Sequence, residues 1–420
     1  MPSKPSRLAL ALTLLVAFGL LATTCVFASS TEQILFRFYK RVGIGPVGTP
    51  LSDGSGNLYG VTGSLGVQNS AYELSPGANG TWNGKPLHYF KVGKEGYTPN
   101  AGLIFDAAGN LYGTTSDGGK YSDGGVAFEL VRAKAWSERV LYNFGHGKVG
   151  HQDGRSPGGG LVFDKAGNLY GVTYGGGAYG DGTVFQLSPG ANNTWKESLL
   201  YAFQNNGVDG RIPEGSLTLD AAGNLYGTTS TGGANGGGIV FELSPGANGT
   251  WTYSVLYNFC STSGCPDGAL PLGNLIFDAA GNLYGATLYG GAPGTLGYGV
   301  IFELTPNGST WTQTVLHTFE GPDGGEPNAP LLFDNAGNLY GTTRGGGKGC
   351  YSPHACGVAF ELTPGGGTWT ETVLHGFNDG PKAKDAGGPT GGLIFDTAGN
   401  LYGVTGEVWN GSGALYEITP

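Results

Sequence analysis

The string Gly-Asn-Leu-Tyr-Gly occurs seven times, with its Asn at Asn57, Asn110, Asn168, Asn224, Asn282, Asn338 and Asn400. The intervals are 53, 58, 56, 58, 56 and 62 residues, a period that marks an array of one supersecondary unit. Within a unit the sequence predicts four strands. Strand a, such as Leu103-Ile104-Phe105, passes through the turn Asp106-Ala107-Ala108-Gly109 into strand b, Asn110 to Thr115. A Gly-rich loop leads to strand c, Val126 to Leu130, and strand d ends on a recurring Leu-x-x-Phe, here Leu141 to Phe144. Short β-branched and aromatic runs between Gly, Pro, Asn and Asp clusters are the signature of hairpins. No stretch sustains a capped 3.6-residue apolar period, so helices should be few or absent.

Four short antiparallel strands repeated seven times predict an all-β, seven-bladed β-propeller. Leu35-Phe36-Arg37-Phe38 is a strand d ending that precedes the first complete a–b–c set, and the chain stops on a strand c, Leu415-Tyr416-Glu417. The N-terminal strand is therefore expected to complete the last blade, which removes free edges. An open β-solenoid is the alternative, and the divided final repeat favours the ring. The period also explains a composition of 83 Gly and 23 Pro in 420 residues, which in an aperiodic chain would suggest disorder. A net charge of -10 excludes the basic footprint of a nucleic-acid binder.

Lys4 and Arg7 precede an apolar run from Leu8 to Leu21, and Val26-Phe27-Ala28 offers a small-x-small cleavage pattern. Residues 1–28 read as a signal peptide and 29–420 as a single propeller domain, exported to a secreted, periplasmic or cell-surface location with no retained membrane span. Cys25 leaves lipidation open. Of the other four cysteines, the spacing favours local disulfides Cys260–Cys265 and Cys350–Cys356. A metal site is the rival reading, because His354 lies inside the second pair.

Units of the form Gly-Leu-Ile-Phe-Asp-x-Ala-Gly-Asn-Leu-Tyr-Gly, then Val-x-Phe-Glu-Leu-x-Pro, resemble the GloVer-type (Gloeo/Verruco) tandem repeats of exported bacterial proteins. The resemblance spans nearly the whole chain after the leader. It implies a propeller-like fold and a surface or secreted location. It implies no activity and carries over no catalytic residues.

Residues present in every unit are expected to be scaffold. The motif Tyr and the Trp that opens strand d (Trp82, Trp136, Trp195, Trp251, Trp311, Trp369) should pack between blades. His88, His317 and His375 stand where other units have Phe36, Tyr142, Tyr201 and Tyr257, and read as aromatic substitutes. One recurring acid is ambiguous. Glu95, Asp153, Asp209, Asp267, Asp323 and Asp385 each lie fifteen residues before a motif Asn, and Val42 replaces the acid in the first unit. They are either turn caps or a broken ring of carboxylates near the central channel, for which calcium is the expected cation. Gly175-x-Gly177-x-x-Gly180 is an accidental match to a dinucleotide motif, since a strand follows it instead of a helix.

Function is expected where the units disagree, on the b–c and d–a loops, which share one face. Blades 5 to 7 depart most, and Tyr289, Tyr298, Arg344, Tyr351, His354, Glu407 and Trp409 are the ligand-binding candidates. The leading expectation is a monomeric, non-catalytic binding module for an extracellular glycan or surface protein. The alternative is a secreted polysaccharide hydrolase or lyase, which needs acid–base groups converging on that face. Its candidates are His151, Arg155, Arg211, Glu214, Glu326, Arg344, His354 and Glu407.

Overall fold

The computed structural model describes residues 30–63, 69–121, 124–146, 153–292, 296–348, 356–377, 387–406 and 412–420, with the backbone of 26–27. The chain forms a seven-bladed β-propeller of four-stranded antiparallel blades. Blade 4 is typical. Its strands run Thr218–Leu219 (a), Leu225–Thr229 (b), Ile239–Pro245 (c) and Trp251–Asn258 (d), paired in that order. Among the described residues there is no α-helix, only three short 3-10 turns between strands c and d. No helix among them is long and apolar enough to cross a membrane.

The ring closes as the divided repeat predicts. Thr31–Arg37 pairs antiparallel with Ala414–Thr419, with Ile34 opposite Tyr416 and Phe36 opposite Leu415, and so supplies strand d of blade 7. Just before it, Val26–Phe27 runs parallel to strand d of blade 6.

The motif can be explained atom by atom. In each a–b turn the Asp four residues before the motif Asn caps the turn. Asp220 Oδ1 accepts the N–H of Ala222 and of Asn224 (2.9 and 2.8 Å), and Oδ2 accepts the Asn224 side-chain amide at 2.8 Å. The following Leu225 is fully buried. Tyr226 then crosses to blade 5, where its ring meets Phe277 of strand a edge-on at 5.1 Å and Trp311 of strand d at 6.4 Å. The closing glycine makes room for an aromatic ring: a Cβ on Gly227 would lie 2.6 Å from Phe241 Cζ on strand c.

Strand d carries a β-bulge at the same place in each blade, shown in blade 4 by the register shift between Val240 and Phe241. A bulge re-aims the side chains that follow it. Ahead of it, Trp251, Tyr253 and Val255 pack against blade 3. Beyond it, Leu256, Tyr257 and Phe259 pack against blade 5. The apolar core is accordingly divided into seven clusters among the described residues, each lying between two adjacent blades. At every seam the Phe ending strand d meets an aromatic of the next blade's strand c, as Phe203 meets Phe241 at 5.2 Å and Phe38 meets Tyr72 at 4.9 Å across the closure. Such a pair adds about 0.5–1.5 kcal/mol to the burial of its rings.

Because Gly227 holds space for Phe241, Gly227→Ala should cost about 1–3 kcal/mol through overpacking. Gly376 has open space around the missing Cβ, so Gly376→Ala should stay within about 0.5 kcal/mol of the parent. Urea midpoints of the two variants check this; equal midpoints would contradict it.

Candidate functional site

Inner strands and the loops entering them surround an axial channel. Backbones of neighbouring entry loops nearly touch, and a Cβ on Gly215 would lie 2.8 Å from the Leu272 carbonyl oxygen. The channel encloses a cavity of about 500 Å³, and Glu214 is the only carboxylate among its described lining residues. On the b–c/d–a loop face it opens into a mouth of about 410 Å³ lined by Asn100, Ser116, Ser156, Tyr174, Glu214 and Asn328, with Pro157, Gly158 and Leu272.

A recurring turn positions these groups. The residue before the d–a proline is left-handed in blades 1 to 6: Gly45, Thr98, Ser156, Ile212, Leu270 and Glu326 have φ between 53° and 64°. For the branched Ile212 this conformation is a backbone outlier, worth about 1–3 kcal/mol of strain. Tertiary bonds hold it. The Ile212 N–H donates to the Asp181 carbonyl of blade 3 at 2.9 Å, and the Ile212 carbonyl accepts the Ser230 N–H at 3.1 Å. These blades therefore offer the mouth three positions: the pre-proline residue, the residue after the proline, and the residue six places after the motif Asn. In blade 3 these are Ser156, Gly158 and Tyr174; in blade 4, Ile212, Glu214 and Ser230; in blade 6, Glu326, Asn328 and Arg344. Burial pushes the Glu214 carboxyl above its ordinary range, against a hydrogen bond from Ser230. Tyr174 is 48% exposed at the rim.

Of the residues singled out in the sequence, Arg344 and Glu326 do meet. Arg344 Nη2 and Nε donate to Glu326 Oε2 at 2.9 and 3.2 Å, and Glu326 is buried. Arg211 instead pairs with Asp181 at 3.5 Å. Tyr298 lies over the next blade's loop, where a Cβ on Gly325 would come within 2.9 Å of its ring. Tyr289 ends strand b of blade 5, half-buried opposite Ala269. Tyr351, His354, Glu407, Trp409, His151, Cys350 and Asp385 lie outside the described residues. The Cys260–Cys265 disulfide is formed, and Cys356 is also disulfide-bonded.

Asn100, Ser116, Ser156, Tyr174 and Asn328 escape sequence reading because they are neutral and match no catalytic pattern. Register holds the missing signal, since Ser116 and Tyr174 both lie six residues after a motif Asn, as Arg344 does.

The recurring acids sit in the seams between blades. Each joins a late strand d residue of its own blade to an early strand d residue of the next. Asp209 accepts the hydroxyls of Tyr201 (3.0 Å) and Tyr253 (2.6 Å) and the Gln204 N–H (3.0 Å). Asp267 accepts the Tyr257 hydroxyl at 2.8 Å and the Ser261 N–H at 3.0 Å, with Gln313 alongside donating to its backbone carbonyl at 3.2 Å. In the remaining polar seams a Glu takes the third place: His88, Glu95 and Glu138; Tyr142, Asp153 and Glu197; His317, Asp323 and Glu371; and, by the register of strand d, Glu32 holds the same position opposite His375. Burial, reinforced by the neighbouring acid, pushes Glu138 and Glu371 up to about 8 and Glu197 up to about 7. At the closing seam the three positions are Phe36, Val42 and Gly84, and a Cβ on Gly84 would meet Phe36 Cζ at 2.4 Å. All three change together, from a polar group to an apolar one.

A profile of the Gloeobacter/Verrucomicrobia repeat matches residues 46–276 and 250–420. The chain belongs to this family. No curated protein matches the sequence. Among solved structures, the fold is similar to the periplasmic gluconolactonase of Pseudomonas aeruginosa (TM-score 0.50, 17% identity, covering 90% of this chain and 99% of that one). It is also similar to a polysaccharide lyase, an ulvan lyase (TM-score 0.51, 13% identity, covering 90% and 94%). An extracellular domain from B. thetaiotaomicron gives a TM-score of 0.52 at 12% identity, covering 91% of this chain and 40% of that one. At these identities the likeness is one of fold. In this member of the repeat family, the units diverge most usefully at the channel mouth.

The Asp153–Glu197 seam makes stability depend on pH. The Glu197 carboxyl has a folded value of about 7 against an ordinary 4.5, so the native state binds the proton more tightly. Stability is then fullest below 4.5 and falls as the pH rises towards 7. Glu197→Gln removes this loss. The variant should gain about 1–2 kcal/mol over the parent between pH 5 and pH 8, a figure discounted for the half-exposed side chain. Parallel urea midpoints at the two pH values would contradict it.

Proposed function

We propose that this chain is an exported, non-catalytic binding module that holds a glycan at the channel mouth on its b–c/d–a loop face. The composition of that mouth carries the reading. Amides and hydroxyls of Asn100, Ser116, Ser156 and Asn328 converge on one opening. They donate to and accept from sugar hydroxyls, and a cavity with a few convergent polar groups is the usual form of a ligand site. Tyr174, 48% exposed, offers a flat apolar face at the rim. The apolar leader supports export to a secreted, periplasmic or cell-surface location.

A second reading, a polysaccharide hydrolase or lyase, is favoured by one observation: Glu214 is a raised-pKa carboxyl at the mouth. Glycoside hydrolysis needs a second carboxylate within about 5–10 Å of the first. Glu214 is the sole carboxylate among the described residues lining that cavity, and Glu326, at the pre-proline position of blade 6, is engaged by Arg344.

The test incubates the chain from Ser29 onward with a polysaccharide panel, assaying retention and searching for released fragments by mass spectrometry. Retention without fragments is expected, weakened roughly 10-fold or more in Tyr174→Ala and retained in Glu214→Gln. Fragments that disappear in Glu214→Gln would replace this reading with the enzymatic one. Trp409→Ala tests the same face beyond the described residues.

A further inference from the structure

His88, Glu95 and Glu138 come from three places in the sequence: strand d of blade 1, the d–a loop after it, and strand d of blade 2. They converge so that one ligand atom from each lies within 4.8 Å of the others. His88 Nε2 is 3.9 Å from Glu95 Oε2 and 3.6 Å from Glu138 Oε2. These separations are too long for hydrogen bonds. They are close to the edges of a tetrahedron of ligands, about 3.3–3.5 Å for bonds of about 2.0–2.1 Å.

Polar atoms of all three side chains are also unsatisfied. His88 Nε2 and Glu95 Oε2 have no hydrogen-bond partner, nor has Glu138 Oε1, the oxygen beside the one nearest His88, and the Glu138 side chain is only 5% exposed. A buried carboxylate without a partner is costly, and either a proton or a bound cation relieves it. Two of the seams without histidine show the contrast, because Asp209 and Asp267 close their own networks with tyrosine hydroxyls and backbone N–H groups, whereas in the Tyr142 seam Asp153 Oδ1 and Glu197 Oε1 are left over as well.

The seven seams of this chain carry a further pattern. Each late strand d histidine (His88, His317, His375) faces a register position on the next blade that holds Glu: Glu138, Glu371 and Glu32. Of the four seams without histidine, only the one with Tyr142 has a Glu there, Glu197; the others have Tyr253, Gln313 and Gly84. A histidine that merely substituted for an aromatic would not require a second acid. At His317 the geometry is already partly closed, since Asp323 bonds His317 Nε2 at 3.1 Å and the Glu320 N–H at 2.8 Å. Of the two histidine seams whose three residues are all described, the one between blades 1 and 2 is left open.

We propose that His88, Glu95 and Glu138 form a binding site for a borderline divalent transition metal, of which Zn²⁺ is the probe, clipping blade 1 to blade 2. One imidazole nitrogen and two carboxylate oxygens suit such an ion. Calcium, which takes six to eight oxygens, is poorly matched. Glu95, 42% exposed, gives the ion its path from solvent and leaves a fourth position to water.

The experiment is calorimetric titration of the tag-free, chelator-stripped chain from Ser29 onward with Zn²⁺, alongside thermal melts with Zn²⁺ and with Ca²⁺. The parent is expected to bind Zn²⁺ and to melt higher with it, with Ca²⁺ having no comparable effect. His88→Ala should lose one equivalent of tight Zn²⁺, its residual affinity falling on the order of 100-fold or more. The double variant His88→Tyr, Glu138→Gln recreates the Tyr257–Asp267–Gln313 grouping and should fold without the metal while lacking the same equivalent. Bound Co²⁺ should show ligand-field absorption in the parent that is reduced in the double variant. No Zn²⁺ binding by the parent, unchanged stoichiometry in both variants, or a Ca²⁺ effect equal to that of Zn²⁺ would each overturn the site.

Discussion

A four-stranded blade with apolar side chains on both faces cannot be stable alone, and the rest of this structure follows from that constraint. Each blade must be covered on two sides by copies of itself, and the only arrangement that leaves no uncovered face is a closed ring. The motif Tyr, the Trp opening strand d and the Phe ending it are the side chains that do the covering. The bulge in strand d lets one strand serve two seams, because it turns the later residues towards the next blade. Closure by Thr31–Arg37 then pairs the last free edge.

The seams and the mouth divide the work. Seam positions are filled by groups that must satisfy each other across two blades, so their chemistry changes in sets: Tyr with Tyr or Gln, His with Glu, Phe with Val and Gly. The fully apolar set falls where the first and last blades meet, and there Phe36 fills the space that a side chain on Gly84 would need. Mouth positions are tied within one blade instead of across two, as Arg344 is to Glu326. Their backbones are fixed by the left-handed pre-proline turn and its bonds to the neighbouring blade, while their side chains vary from Gly45 to Ile212 to Glu326. A rigid backbone whose side chains differ from blade to blade suits selection for a ligand.

Fold and closure were legible in the sequence because both are written in spacing: seven motif repeats, and a strand d ending stranded before the first unit. The sequence also showed the recurring acids and the histidines standing in tyrosine positions, but as separate features. What joins them is Glu138, which lies 50 residues after His88 and reaches it only through the register of strand d in the following blade. The mouth was illegible for another reason. Asn100, Ser116 and Ser156 are ordinary loop residues, and only the turn that raises them to the channel opening gives them a shared direction. Glu214 was visible as an isolated acid, whereas its burial is a property of the assembled ring.

Hydrogen–deuterium exchange of the closing strand tests the central claim most directly. If the N-terminal strand completes blade 7, amides in Thr31–Arg37 should be protected to the same degree as those of their partner Ala414–Thr419. Both should then exchange only through global unfolding. Exchange of Thr31–Arg37 at free-peptide rates, with the other blades protected, would contradict a ring closed by that strand.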